Sequence, residues 1–156
     1  MTTSTPPPAL NARVIGAAQR STNALLQQLL DDADLPFAEW TILFTLAGTG
    51  PLGRPMPRGA LVRQQADGLK VPDSTVEATL DGMVASGLLA DDSGLLAPTA
   101  AGRAVYQPIR DVVDQLTETI YGDLPPDDLE VTRRTLEEVT RRADALLSDR
   151  SGASGR

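Results

Sequence analysis

The 156-residue chain contains no cysteine and no histidine. The first absence excludes disulfides, thiolate metal ligation, a cysteine nucleophile and thiol redox sensing. The second removes the imidazole general base, the Ser-His-Asp triad and the ordinary catalytic zinc site. Aromatic residues are scarce, with one Trp, two Tyr and two Phe. No apolar run approaches the ~20 residues that a membrane span requires. Met1–Pro8 carries no basic residue and no apolar stretch behind it, so no signal peptide is expected, and the expectation is a cytoplasmic protein without a membrane partner. Positive charge is in the minority, since 14 Lys and Arg against 21 Asp and Glu leave a net charge of -7. The field of such a chain does not by itself draw nucleic acid.

What is present describes an ordinary globular domain. Hydrophobic residues make up 41% and charged residues 22%, close to the average for folded proteins. The length suits one domain, or one domain with dimerising arms. Residues 1–8 are polar and end in three prolines, which reads as a disordered leader. Residues 149–156 read as a disordered Ser/Gly tail. The folded domain is expected over 9–148.

Helical periodicity dominates that span. Ala9–Asp32 places Val14, Ile15, Ala18, Leu25, Leu26, Leu29 and Leu30 mostly three, four or seven apart, which draws an apolar stripe along one helix face. Leu35-Pro36 ends it. Phe37–Ala47 repeats the spacing with Trp40, Leu43, Phe44 and Ala47. Gly48–Pro57 is a breaker-rich loop. Gly59–Leu69 reads as a short helix, Gly68–Pro72 turns the chain, and Asp73–Ala85 is the next helix. Ser74-Thr75-Val76-Glu77 matches a capping box at its start, and Gly87 suits its end. Two helices joined by a short turn form a helix-turn-helix. Leu88-Leu89-Ala90 and Leu95-Leu96-Ala97, joined by Asp91-Asp92-Ser93-Gly94, then read as a hairpin. Thr99 is positioned to cap a long helix, Ala100–Tyr121, containing Pro108. Pro125-Pro126-Asp127 opens a last helix to about Ser148. Its Leu129, Thr132, Leu136, Val139, Ala143 and Leu146 alternate at three and four, as a coiled-coil seam does. The expected fold is mainly α with a small β-hairpin wing. A winged helix-turn-helix over 36–98 is flanked by N- and C-terminal helices at 9–34 and 104–148.

This order resembles the MarR family of winged-helix regulators. Phe37-Ala38-Glu39-Trp40-Thr41-Ile42-Leu43 looks like the family's second helix. Asp73–Leu80 followed by Val84-Ala85-Ser86-Gly87-Leu88-Leu89 looks like its recognition helix running into the wing. Pro98-Thr99-Ala100-Ala101-Gly102-Arg103 resembles the entry to its fifth helix. The resemblance covers roughly residues 9–148. It implies a homodimer in which the first and last helices of two subunits interlock, with two winged domains facing successive major grooves of a pseudo-palindromic operator. The apolar stripes of the terminal helices agree, because stripes of that size rarely stay exposed on a monomer. An intramolecular antiparallel helix pair would also cover them.

Charge along the chain divides the candidate DNA-binding residues. Between Pro51 and Val71, Arg54, Arg58, Arg63 and Lys70 outweigh Asp67, leaving +3. These bases can hold phosphates and set register, or serve as a solvated basic loop on an acidic protein. From Pro72 to Leu96 there are five acids, Asp73, Glu77, Asp81, Asp91 and Asp92, and no Lys or Arg. Wings of the resembled family usually carry an arginine at the tip, whereas this one has Ser93-Gly94. Ser74, Thr75 and Thr79 are the candidates for reading bases through hydroxyls and a methyl group. Ser and Thr at a helix start also serve as caps.

The resemblance further implies a ligand cavity between the dimer helices and the winged domain. Trp40, Phe44 and Tyr106 fall on helices bordering that cavity. Arg13, Arg20 and Arg110 can offer charge to an anionic or phenolic effector. Trp40 and Phe44 equally fit a plain core, and Arg13 and Arg20 fit ion pairs across a dimer. No P-loop follows Gly48–Gly53, and the Asp31-Asp32-Asp34 and Asp127-Asp128 groups sit at helix boundaries where acids meet the dipole. No enzyme, cofactor or metal site is expected. The expected function is a dimeric DNA-binding repressor released by a small aromatic or hydrophobic ligand. The alternative is a winged-helix dimer that has lost specific DNA binding and serves as a ligand- or protein-binding module.

Overall fold

The computed structural model describes residues 10–48 and 54–153. The leader call at 1–8 lies outside the described residues, as do 49–53 of the breaker-rich loop and the last three residues of the tail. The described chain runs α1 (Ala12–Asp32), α2 (Phe37–Ala47), β1 (Met56–Pro57), α3 (Arg58–Leu69), α4 (Asp73–Ala85), β2 (Leu89–Asp92), β3 (Leu95–Pro98), α5 (Ala100–Tyr121) and α6 (Pro126–Ala153). The expected mainly-α class with a hairpin wing is the observed one. Two compact units divide at Val113/Asp114.

Helix ends follow local chemistry, with some departures from expectation. α1 starts at Ala12 rather than Ala9, because the Asn11 carboxamide oxygen accepts the backbone N–H of Arg13 at 3.0 Å and of Val14 at 3.3 Å. That is a side-chain N-cap. The capping box expected at Ser74 does not form. Asp73 is already helical, so Ser74 lies inside the first turn, and the N-cap position belongs to Pro72, which has no side-chain acceptor. The other half of that box, Glu77, is turned to Arg58 instead, at 2.8 Å. At the far end Gly87 takes φ +78, its N–H reaching the Val84 carbonyl at 3.1 Å while the Leu88 N–H reaches Met83 at 2.9 Å. This pair is a Schellman closure. α3 continues through Gly68, and Lys70 adopts the left-handed cap at φ 56.

The wing differs in detail from the expected four-residue turn. Asp91 and Asp92 are strand residues paired with Leu96 and Leu95, so the turn is Ser93-Gly94 alone. Both have positive φ, 54 and 86, as a two-residue type I′ hairpin demands. A third strand was not foreseen: Met56 and Pro57 pair with Leu96 and Leu95, giving the order β1-β3-β2. A two-residue strand inside a Gly/Pro-rich segment has no periodicity to reveal it.

The first unit holds the core. Leu30 and Leu35, Trp40, Ile42, Leu43 and Leu46 of α2, Leu61, Val62 and Ala66 of α3, Val76, Leu80 and Met83 of α4, Leu89 and Leu96 of the wing, and Tyr106 and Ile109 of α5 form one buried cluster. The spacings that mark each apolar stripe thus point α2, α3, α4 and the wing at a common centre. Gln65 is buried among them and donates to the Thr45 hydroxyl at 2.7 Å and the Thr41 carbonyl at 3.3 Å. The paired amide tethers α3 to α2 without leaving a donor unsatisfied. α1 buries only Leu30 fully, leaving Val14 and Leu25 exposed.

The second unit contains the end of α5 and α6. α6 opens with Pro126 and acidic Asp127-Asp128, which suit a helix N-terminus. It is assigned as far as Ala153, past the expected end near Ser148. Its apolar residues Val131, Val139, Leu146 and Leu147 are exposed. Ion pairs run along the opposite pattern, Arg133 with Glu130 and Glu137, and Arg141 and Arg142 with Glu138.

Candidate nucleic-acid interface and aromatic cluster

α3, α4 and the hairpin make the helix-turn-helix and wing. Ser74 and Thr75 are exposed on the first turn of α4, with Ala78, Thr79 and Gly82 following on the same side. Helical spacing puts these five on one flank. Together with Pro36, Ala38 and Glu39 at the start of α2 they line an open groove. Partial burial pushes the Glu39 carboxyl above its usual range. The Thr79 hydroxyl donates back to the Thr75 carbonyl at 3.0 Å, so its oxygen remains an acceptor and its methyl an apolar contact.

The four candidate phosphate ligands have different surroundings. Arg54 and Arg63 are exposed. Lys70 is exposed and pairs with Asp67 at 3.0 Å. Arg58 stands apart from them. Its Nε donates to Glu77 at 2.8 Å, one terminal nitrogen to Asp81 at 2.5 Å, and the other to Asp91 at 3.4 Å. The Glu77 hydrogen bond does most to hold the guanidinium charged, with Asp81 adding to it. The sequence alone listed Arg58 as a base and Glu77, Asp81 and Asp91 as opposing acids. It did not join them. The available signal was the i, i+4 spacing of Glu77 and Asp81, which puts two carboxylates on one flank and invites a shared cation. Ser93 is at the wing tip, where its hydroxyl donates to Asp92 at 3.3 Å.

Trp40, Phe44, Tyr106 and Arg110 come together on α2 and α5. Trp40 stacks on Tyr106 with ring centroids 5.0 Å apart and meets Phe44 at 6.1 Å. The Arg110 guanidinium lies 5.2 Å from the centre of the Phe44 ring, a cation–π distance. Trp40 and Tyr106 are buried, while Phe44 is 46% exposed. Arg13 and Arg20 are exposed on α1 and make none of these contacts. The cluster therefore has a closed apolar floor and an open edge carrying one aromatic face and one cation.

No family model and no curated protein matches the sequence. Solved structures do match the fold. Ligand-free NadR superposes with a TM-score of 0.68 at 20% identity, over 88% of this chain and 98% of that one. A MarR-family transcriptional regulator from Silicibacter pomeroyi gives 0.63 at 23% identity, over 81% and 84%. BpsR of Bordetella bronchiseptica, whose DNA binding is regulated by 6-hydroxynicotinic acid, gives 0.63 at 21% identity, over 87% and 98%. NadR is also known in complex with 4-hydroxyphenylacetate, and that form superposes at 0.65 with 20% identity, over 89% and 97%. With six helices and a three-stranded wing in the described residues, the chain has the fold of the MarR-family transcriptional regulators.

Proposed function

We propose that this protein is a DNA-binding transcriptional regulator of the MarR type, acting as a homodimer and as a repressor released by a small aromatic or hydrophobic ligand. The observation that carries the reading is the exposed hydroxyl flank of α4, Ser74, Thr75 and Thr79, beside a helix-turn-helix whose approach is basic. Arg54, Arg63 and Lys70 hold phosphates, and the hydroxyl flank meets base edges. The effector settles on the open edge of the aromatic cluster, against Phe44 and Arg110 with Trp40 and Tyr106 as floor. The small aromatic acids associated with NadR and BpsR fit an edge that offers an aromatic face and a cation. α1 and α6, with the end of α5, are the dimerisation helices, since their exposed apolar residues need a partner. Occupation of the cluster changes the spacing of two winged domains and so their fit to successive grooves.

The test is a titration against DNA from immediately upstream of the gene, at low and moderate salt, with random DNA as competitor. Three phosphate-holding bases per protomer, six per dimer, give a log–log salt slope of about -5. The expected result is a complex that survives the competitor and weakens along that slope. Absence of any sequence-preferring complex at every salt concentration overturns the reading. It would favour the alternative, a winged-helix dimer that binds ligand or protein without reading DNA, which the five unopposed-in-sequence acids of α4 and the wing support.

A further inference from the structure

Arg58 is the first residue of α3, and it bonds to two other elements and to the wing turn. Its guanidinium reaches the carboxylates of Glu77 and Asp81 on α4 and of Asp91 on β2. It also approaches the Glu77 carbonyl at 3.4 Å. Its backbone N–H donates to the Gly94 carbonyl in the wing turn at 2.8 Å, and the Gly94 N–H donates to the other oxygen of Asp91, also at 2.8 Å. Only a planar fork with several fixed donors can serve acids on two elements at once. Glu77 and Asp81 are one turn apart on α4, and like charges at that spacing repel. Asp91 adds a third negative charge from the wing. Without Arg58 these groups push the helix and the hairpin apart. The side chain is 24% exposed, and a phosphate approaching it would have to displace carboxylates and meet a cluster that is still net negative.

We propose that Arg58 is a positioning residue that ties the recognition helix to the wing. By gathering the acid flank of α4 toward α3 and β2, it leaves the Ser74, Thr75 and Thr79 flank as the side that meets bases. The tie is a property of the protein without DNA. Its consequence for base reading rests on the regulator function proposed above.

The test compares Arg58→Met, which keeps the stem and removes the charge, with Arg58→Lys in the full-length protein. Amide hydrogen exchange is read without DNA at positions 58 and 94, with Leu43 and Leu80 as core controls. In Arg58→Met, exchange at 58 and 94 accelerates on the order of tenfold, and the controls keep their protection. Arg58→Lys lies between, because an ammonium serves fewer of the acids. Asp91→Asn added to Arg58→Met produces less than the additive effect, since both act on one network. Wild-type exchange at 58 and 94 in Arg58→Met overturns the tie. A uniform rise that includes the core controls also overturns it, because Arg58 would then support the whole fold and not the wing. With DNA, Arg58→Met weakens binding while the salt slope is kept. A slope smaller by about one, with exchange unchanged, makes Arg58 a phosphate contact and overturns the proposal. Failure of the wild type to bind DNA leaves the exchange result standing and counts against the regulator reading alone.

Discussion

Leu80 lies at the centre of the first unit with no exposed surface, where α4 meets the core shared with α2, α3 and the wing. Removing its side chain leaves a void that helices held by several neighbours cannot close. Leu80→Ala should therefore destabilise the protein by about 2–5 kcal/mol, read as a fall in the urea midpoint at unchanged m-value. A loss below about 1 kcal/mol would mean that the site collapses. Trp40 is the single tryptophan, stacked on Tyr106, so its fluorescence reports the aromatic cluster directly. A ligand seated against Phe44 and Arg110 should shift its emission. A silent Trp40 across aromatic acids and phenols would count against a binding role for the cluster and leave it as packing, the other reading that its residue types allow. The candidate residues themselves were legible as types, but their partners were not. Arg58 reads as one more base until Glu77, Asp81 and Asp91 are found around it.

At the scale of elements, the entry to α5 is held by a close approach. The Thr99 hydroxyl accepts the Gly102 N–H at 3.0 Å and donates to the Gly87 carbonyl at 2.6 Å. A β-carbon on Gly102 would fall well inside contact distance of the Leu88 carbonyl oxygen. Gly102→Ala must push α5 away from the wing, at a cost of about 1–3 kcal/mol. The check is thermal unfolding, with Ala101→Gly as a control that loses only helix propensity. Thr99 and Gly102 were both visible in sequence, as a cap and as part of the family-like entry. The backbone that makes Gly102 necessary was not. α6 supplies a pH prediction. Arg141 and then Arg142 hydrogen-bond Glu138 and push its carboxyl down from 4.5 to about 2. An unfolded chain restores the value to about 4.3. The folded helix thus prefers the charged form, and this contribution is complete above the unfolded value. It is lost as pH falls from there through about 2. The Glu138 resonance should titrate near 2 in low salt and move upward in high salt, because the pairs are solvent-exposed and screened. A midpoint near the unfolded value at low salt would show that these pairs do not persist in solution.

For the whole molecule, exposed apolar residues set the expectation. Val131, Val139, Leu146 and Leu147 of α6 lie open, with Val139 at 43% and Leu146 at 64% exposure. Val14 and Leu25 of α1 are open as well. Burying a side chain of this kind contributes about 1.5–3 kcal/mol, so a handful on each of two chains can sustain a dimer. Sedimentation at micromolar concentration should give a dimer for the wild type, and a monomer for the Val139→Glu, Leu146→Glu variant with its helicity retained. A monomeric wild type would overturn the dimer and with it the reading of α1 and α6 as dimerisation helices. The net charge acquires its meaning at this scale too. The acidic excess does not lie evenly on the winged unit. Part of it is gathered on Arg58, while Arg54 and Arg63 remain exposed on the approach to α4.

The sequence by itself determined the helices, their order and the apolar face of each. Periodicity is a local property, and it survives without knowledge of neighbours. It located α2, α4 and α5 at their observed limits and marked Thr99 as a cap and Gly87 as a stop. It also excluded thiol and imidazole chemistry outright, since composition needs no fold to be read. The tertiary structure decided what depends on residues far apart in the chain. It set the pairing of β1 with β3 and the two-residue turn of the wing. It diverted Glu77 from the expected capping box to Arg58, 19 positions away, and it stacked Trp40 on Tyr106. A carboxylate binds whichever donor is nearest in space, and only the fold fixes which donor that is.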